Sequence, residues 1–488
     1  MTMWPTTVME ILFAGGMLSL FADIGGRASG WLKRYAAATV SALAIASSLV
    51  VLASGWAQSL GPVVKLQPTS DPLASLYVAD KFTTFTAFTV LVVGLAVLLY
   101  SMRYFDSGRN GPFYALYTIL MCSLVGVVSA GDLLTLFLFW EGMAVSAYGL
   151  VTFGRSQTNM EAGIKYFLMA GIGSLLALYG IGAIYFSAGS IQLSAIGSAL
   201  GNSFGQLGLI VLVLGLGVEA AIVPLHTWLP DVYSGSSLPT ASVISGAVTG
   251  VGVFALLKVL EPLVPGNGYA PVTAALSGPS NLQLVLVGLA LATMLLGNLS
   301  ALTQGNLRRI LSFSSIAQTG YMLAALSTLN LAGIVAVVFT IWNHGILKSN
   351  FFMVLGKKHA SVEDSQLDKL RGVGRGNRVL GFLYASSSMA MMGAPPFGMF
   401  WSEILVVQSL LVAGQSTGSI FYFMAGAVVL NIVISIGYYY KIINTVVFGE
   451  EQGEKDTRPL ADIFPPAALL AISVLTGIAP FLILGNVL

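Results

Sequence analysis

Long apolar runs separated by short polar connectors set the pattern of this chain. A helix that crosses a bilayer needs about 20 mostly apolar residues. By that rule the pattern predicts fourteen spans, near 6–23, 35–54, 82–100, 112–130, 132–153, 162–186, 206–229, 238–260, 281–303, 309–327, 330–356, 378–412, 418–448 and 464–486. The segments near 378–412 and 418–448 exceed one crossing, so those helices are expected to be tilted, broken or extended past the bilayer. The first run carries Glu10 and has no basic segment before it, which reads as a first span rather than a cleaved leader.

Composition turns that pattern into a class. Residues of the AVILMFWYC set make up 56% of the 488 and charged residues only 9%, against about 25% charged in a soluble domain. The chain is expected to be an all-α, multi-pass membrane protein. Basic residues then test the alternation of spans, because Lys and Arg collect on the inner side. With the N-terminus outside, seventeen of the 22 Lys and Arg residues fall in inside connectors: Arg27, Lys33, Arg34, Arg103, Arg109, Arg155, Arg308, Arg309, Lys357, Lys358, Lys369, Arg371, Arg375, Arg378, Lys441, Lys455 and Arg458. Lys65, Lys81 and Lys258 fall outside, while Lys165 and Lys348 lie within spans. Both termini are therefore expected outside.

Several function classes drop out. A net charge of +2 points to no nucleic-acid partner, and one cysteine, Cys122, can build neither a disulfide framework nor a cysteine-held iron–sulfur cluster. Three histidines leave little for haem or zinc. No Walker A, CxxC or HExxH sequence occurs. The longest polar stretch, KKHASVEDSQLDKLRGVGRGNR at 357–378, reads as a solvated inside connector, with room for a short amphipathic helix. Its GVGRG run follows no strand and is weak as a nucleotide loop.

The informative residues are the few ionisable groups far from span ends, since each costs about 2.5–3.5 kcal/mol at the bilayer centre on insertion scales. They are Glu141, Lys165, Glu219, His344, Lys348 and Glu403, accompanied by Asn343, Ser349, Asn350 and Ser402. His344 and Lys348 are four residues apart and share a helix face. Two cations there repel, so at least one is expected to be neutral part of the time, and the pair can pass a proton. The alternative is a helix anchor bonded to polar neighbours. A Glu141–Lys165 or Glu219–Lys165 pair would offset the cost of burial, although Lys165 follows Arg155 closely enough to snorkel to the inner interface.

Prolines accompany two of these acids. Pro224 follows Glu219, and Pro395 and Pro396 precede Glu403. Proline removes a backbone donor and frees a carbonyl, and broken helices in two halves mark transporter ion sites; a packing kink is the plainer reading. At the inner end of the seventh span, His226 is placed to exchange protons with inner water, Asp231 reads as an exposed turn residue or a partner for an inner proton group, and Trp228 as an interfacial anchor.

PLHTWLPDVYSGSS, GNLSALTQGNLRRILSFSSIAQTGY, WNHGILKSNFF and GAPPFGMFWSEIL resemble the antiporter-like proton-translocating subunits of respiratory complex I. They also resemble subunits of Mrp-type cation/proton antiporters and of energy-converting membrane-bound hydrogenases, over roughly 112–448. The resemblance implies fourteen helices with two inverted five-helix repeats and broken seventh and twelfth helices. It divides the chain into helices 1–3 at 1–111, a first repeat at 112–260, a second at 261–448 and a C-terminal loop and helix at 449–488. The expected ion path runs through Glu141, Lys165, Glu219, His226, His344, Lys348 and Glu403, of which the resemblance assigns all but Glu219. Two positions depart from the pattern: Glu219 stands where the family usually carries a seventh-helix lysine, and Thr249 where an eighth-helix lysine is common. Either Lys165 takes over the partner role, or this half conducts by another route, is structural, or binds a cation such as sodium.

The function so implied is a proton-translocating membrane subunit of a redox-driven complex of the NADH:quinone oxidoreductase or energy-converting hydrogenase type. The alternative is a subunit of an Mrp-type Na+/H+ antiporter, and a third reading is a non-transporting scaffold. No cofactor is expected in this chain; iron–sulfur clusters and a flavin or nickel–iron centre belong to partner subunits if redox drives it. Expected partners are further membrane subunits and lipids, in a prokaryotic plasma membrane.

Overall fold

The computed structural model describes residues 4–25, 30–59, 76–105, 110–264, 280–450 and 458–487. Arg27, Lys65, Arg109 and Lys455 of the basic-residue count lie outside the described residues. The described chain is almost wholly helical, as the apolar runs require: in hydrocarbon each backbone polar group must be satisfied within its own segment. The helices are α1 (Trp4–Gly25), α2 (Gly30–Ser59), α3 (Lys81–Tyr104), α4 (Gly111–Ser129), α5 (Leu133–Val151) and α6 (Gln157–Ala188). Next come α7a (Ser203–Gly217), α7b (Trp228–Gly235), α8 (Leu238–Leu263), α9 (Asn281–Thr303), α10 (Leu307–Ser327) and α11 (Leu331–Leu355). The last are α12a (Arg378–Met391), α12b (Met399–Ser416), α13 (Ile420–Val447) and α14 (Leu460–Ile478), with short helices in the connectors.

Eleven of these helices are long and apolar enough to cross a membrane. The three expected spans outside that set explain themselves. α7 and α12 are each split into two short pieces, and α10 is polar, with Arg308, Arg309, Gln318 and a run of serines. The connector at 357–378 holds turns and two short helical segments, a 3-10 turn at Lys357–His359 and a helix at Val373–Gly376.

Side chains close the helix starts. Asp132 accepts from Leu134 N at 2.9 Å and Thr135 N at 2.8 Å, and Asn306 accepts from Arg308 N at 3.0 Å. These caps satisfy donors that the first turn leaves orphaned. Glycines set two close helix pairs, as in membrane packing generally. A Cβ at Gly180 on α6 would sit 2.7 Å from Gly208 O on α7a, and one at Gly297 on α9 would sit 2.5 Å from Ala317 N on α10. α8 and α11 form the buried centre, joined where Ser349 Oγ donates to Ser242 O at 2.9 Å. Both ionisable clusters lie against this centre.

Candidate functional site

Each split helix places an acid at its break. The first break covers 218–227, between α7a and α7b, with a cis Val223–Pro224 peptide and Ala221 at φ 56°. Its freed backbone groups find partners: Val223 N donates to Thr293 Oγ1 at 3.2 Å, and the Trp228 indole donates to Val218 O at 2.8 Å. Gly252 on α8 packs against the backbone at Glu219, where a Cβ would meet Ala220 N at 2.8 Å.

Glu219 is fully buried here. The Tyr166 hydroxyl donates to its Oε1 at 2.9 Å, while Oε2 has no partner. Trp228 stacks near the Tyr166 ring, with centroids 4.9 Å apart, and so backs the residue that holds the acid. Glu141, half-buried on α5, presents an unpartnered Oε1 and lies within electrostatic range of Glu219. His226 sits half-buried near the end of the break, its Nδ1 unpartnered.

The pairings expected of Lys165 and the placements expected of Trp228 and Lys258 do not hold, whereas the alternative of a Lys165 that snorkels to the inner interface does. Lys165 pairs with neither Glu141 nor Glu219: its Nζ bonds Glu161 at 2.7 Å and Asp231 at 2.9 Å, with the side chain 46% exposed. It lies at the end of the bundle that carries Arg309, whose guanidinium is 3.7 Å from Asp231, because a lysine stem is long enough to reach the polar boundary from within a helix. Asp231 is accordingly an ion-pair partner rather than a free turn residue. Trp228 is not an interfacial anchor but a buried bridge across the break. Lys258, expected in an outside connector, is buried on α8, with Thr83 Oγ1 at 3.4 Å and Asp80 and Glu261 nearby. Its place one turn before the end of an apolar helix gave no sign of burial.

The second break covers 392–398, between α12a and α12b, with a cis Pro395–Pro396 peptide. Gly398 N donates to Ser473 O at 2.9 Å, which ties the break to α14. Glu403 follows on α12b, 8% exposed, with Oε1 unpartnered and the Gln318 side chain beside it. It faces a narrow crevice lined also by Gln318, Tyr321, Thr340 and Ser402. Gly393, at φ 73°, abuts Glu403: a Cβ there would collide with Oε2.

His344 and Lys348 lie on α11, essentially unexposed. Lys348 Nζ donates to Leu311 O at 2.8 Å and to Ser314 Oγ, both on α10. Among the described residues no carboxylate comes within ion-pairing distance of it. His344 Nε2 has no partner. Asn343 donates to Ser402 Oγ at 3.0 Å and Asn350 to Ser387 Oγ at 2.7 Å, so the polar residues flanking the pair tie α11 to both pieces of α12.

Sequence reasoning missed Arg308 as well. The alternation of spans puts it in an inside connector, yet it is 1% exposed. Its guanidinium donates to Tyr233 O at 2.7 Å and to the carbonyls of Ser236 and Ala360. It thereby ties the end of α7b to the connector after α11. No group of three or more His, Cys, Asp or Glu residues with metal-holding geometry occurs among the described residues.

Residues 130–430 match the model of the NADH:quinone oxidoreductase/Mrp antiporter transmembrane family. The chain belongs to this family. The resemblance read from the proline, asparagine–histidine–lysine and glutamate motifs therefore holds. Relatives match along nearly the whole chain. NADH-quinone oxidoreductase subunit N 1 of Sorangium cellulosum is 30% identical over 91% of this chain and 90% of its own length. NADH-quinone oxidoreductase subunit N of Desulforudis audaxviator is 28% identical over 87% and 84%. The family fold is also that of solved complexes. A chain of the archaeal membrane-bound sulfane sulfur reductase superposes with a TM-score of 0.84 at 24% identity, covering 98% of this chain and 96% of that one. A chain of Thermus thermophilus respiratory complex I gives 0.79 at 24%, covering 98% of each. One of the Mrp complex from a Dietzia species gives 0.84 at 20%, covering all of this chain and 96% of that one. This family member is thus a multi-pass integral membrane protein whose structural neighbours sit in multisubunit membrane complexes.

Proposed function

We propose that this chain is the proton-translocating, antiporter-like membrane subunit of a redox-driven complex of the NADH:quinone oxidoreductase type. One observation carries the reading. Lys348 is fully buried and held only by a carbonyl and a hydroxyl, with the unpartnered His344 one turn away and the unpartnered Glu403 oxygen on the adjoining helix. An anchoring lysine would be expected to sit on a carboxylate, since an uncompensated buried charge is strongly destabilising. Two uncharged oxygen ligands instead leave the amine free to gain and lose a proton. In the redox reading, electron transfer in partner subunits shifts charge at one end of the row of buried residues, and each shift changes the neighbour's hold on its proton.

The path runs through Glu141, Glu219 and His226 in one half and through His344, Lys348 and Glu403 in the other. Lys165 supplies a surface ion pair at the inner end of the first half. The halves correspond to repeats at 112–260 and 261–448, flanked by 1–111 and 449–488. We place the chain in a prokaryotic plasma membrane with both termini outside, beside other membrane subunits, and the iron–sulfur clusters and flavin or nickel–iron centre in partner subunits. A subunit of an Mrp-type Na+/H+ antiporter is the second reading, favoured by a fold likeness to the Dietzia Mrp chain that is no smaller than that to complex I. The curated relatives named above favour the first.

Purifying the assembled complex separates the two: redox centres in co-purifying subunits support the first reading, and their absence the second. Lys348→Ala is expected to lower proton transport sharply in proteoliposomes while the complex still assembles. Transport at the unsubstituted level in that variant would remove the second-half path.

A further inference from the structure

The charged groups of the second half do not touch one another. Lys348 Nζ ends on Leu311 O and Ser314 Oγ, and Glu403 ends at the crevice that Gln318 and Tyr321 line. One face of α10 lies between them. Ser314, Gln318 and Tyr321 are spaced four and three residues apart, so they form a single polar stripe. At about 1.5 Å per residue the stripe extends over roughly 10 Å. Its start binds the lysine and its end adjoins the glutamate.

α13 faces this stripe with two neighbouring tyrosines. Tyr438 is committed, since its hydroxyl donates to Asn298 Oδ1 at 3.0 Å, and Asn298 Nδ2 in turn donates to Tyr321 at 2.9 Å. Tyr439 is 1% exposed and its hydroxyl has no hydrogen-bond partner. That hydroxyl lies beside Ser314 and within electrostatic range of Glu403. An unpaired phenol in the interior of a membrane bundle is a cost that phenylalanine would avoid with the same packing. Its position between the ligand of the lysine and the acid gives the hydroxyl a use.

We propose that Ser314 and Tyr439 relay a proton between Lys348 and Glu403 along this face of α10. The proposal rests on the reading of the second half as a translocation path. Lys348 as ammonium gives a proton to Ser314 Oγ while the Ser314 hydroxyl turns from Leu311 O, to which it donates at 2.9 Å, and passes its own hydrogen to the Tyr439 oxygen. Tyr439 passes its hydrogen to the unpartnered Oε1 of Glu403 once the carboxylate turns from Gln318 toward it. One ammonium and one carboxylate become one amine and one carboxylic acid. Both hydroxyls end with one hydrogen each and reset by rotation. Gln318, beside the carboxylate, orients it.

The test uses the assembled complex in proteoliposomes, with proton transport read by a pH-sensitive dye. The variants are Tyr439→Phe, Ser314→Ala, the two combined, and Lys348→Ala. Tyr439→Phe is expected to keep assembly and melting temperature, because no bond to its hydroxyl is lost, yet to lower transport to the level of Lys348→Ala. The combined variant is expected to lose no more than either single one, as two steps in series require. If Tyr439→Phe transports as the unsubstituted complex does while Lys348→Ala falls, the relay is wrong and the path stands. If Lys348→Ala also transports normally, the path falls and the relay with it.

Discussion

Gly393→Ala perturbs the second break at one atom, and its consequence follows from the packing around Glu403. The added Cβ collides with Glu403 Oε2 at a backbone φ of 73°. The left-handed conformation by itself costs a side chain on the order of 1–3 kcal/mol. The collision adds to this unless the carboxylate swings away from the break, and the Gln318 side chain beside it restricts that movement. A penalty of about 1–3 kcal/mol lowers the population of the present arrangement roughly 5- to 150-fold. Proton transport by the reconstituted complex is expected to fall by a factor in that range, with the complex still assembled. Gly288→Ala on α9 provides the comparison. Beyond its own stretch of helix nothing lies within 4 Å of its Cβ position, so transport should stay unchanged. Normal transport by Gly393→Ala would refute the idea that the break presses Glu403 into its working position.

Three further outcomes follow from the same geometry. Glu219→Gln is expected to reduce transport less than Lys348→Ala, because Glu219 keeps its Tyr166 bond as an amide and faces only Glu141; equal losses would show that the first half conducts at full rate. Lys165→Ala should cost under about 1 kcal/mol of stability, as exposed ion pairs do, and leave transport above that of Lys348→Ala in the same vesicles. Arg308→Ala leaves three carbonyls without their donor, at about 1–3 kcal/mol for each buried group, so the melting temperature of the complex should drop clearly; an unchanged value would show that the tie between α7b and the connector carries no load.

The helical class, the burial of Glu219, His344, Lys348 and Glu403 and both helix breaks were legible in the sequence. Hydrocarbon admits few alternatives: a run of some twenty apolar residues must be a helix, a charge within it is conspicuous, and a proline beside that charge interrupts the ladder. Partners were not legible. A helical period tells which residues share a face but not which helix that face meets. The sequence leaves Lys165 either a counter-ion or a snorkelling lysine and the structure shows the second, while it points Trp228 to the boundary and the structure places it across the break. Lys258 and Arg308 were assigned to connectors and are buried. Long side chains explain most of these errors, since a lysine or arginine head sits several ångströms from its own backbone position. By itself, then, the sequence determined that this is a membrane bundle with sparse charges at two broken helices. Only the tertiary structure decided that Lys348 rests on a carbonyl and a hydroxyl of α10 rather than on an acid, because contact between helices depends on packing that no single helix encodes.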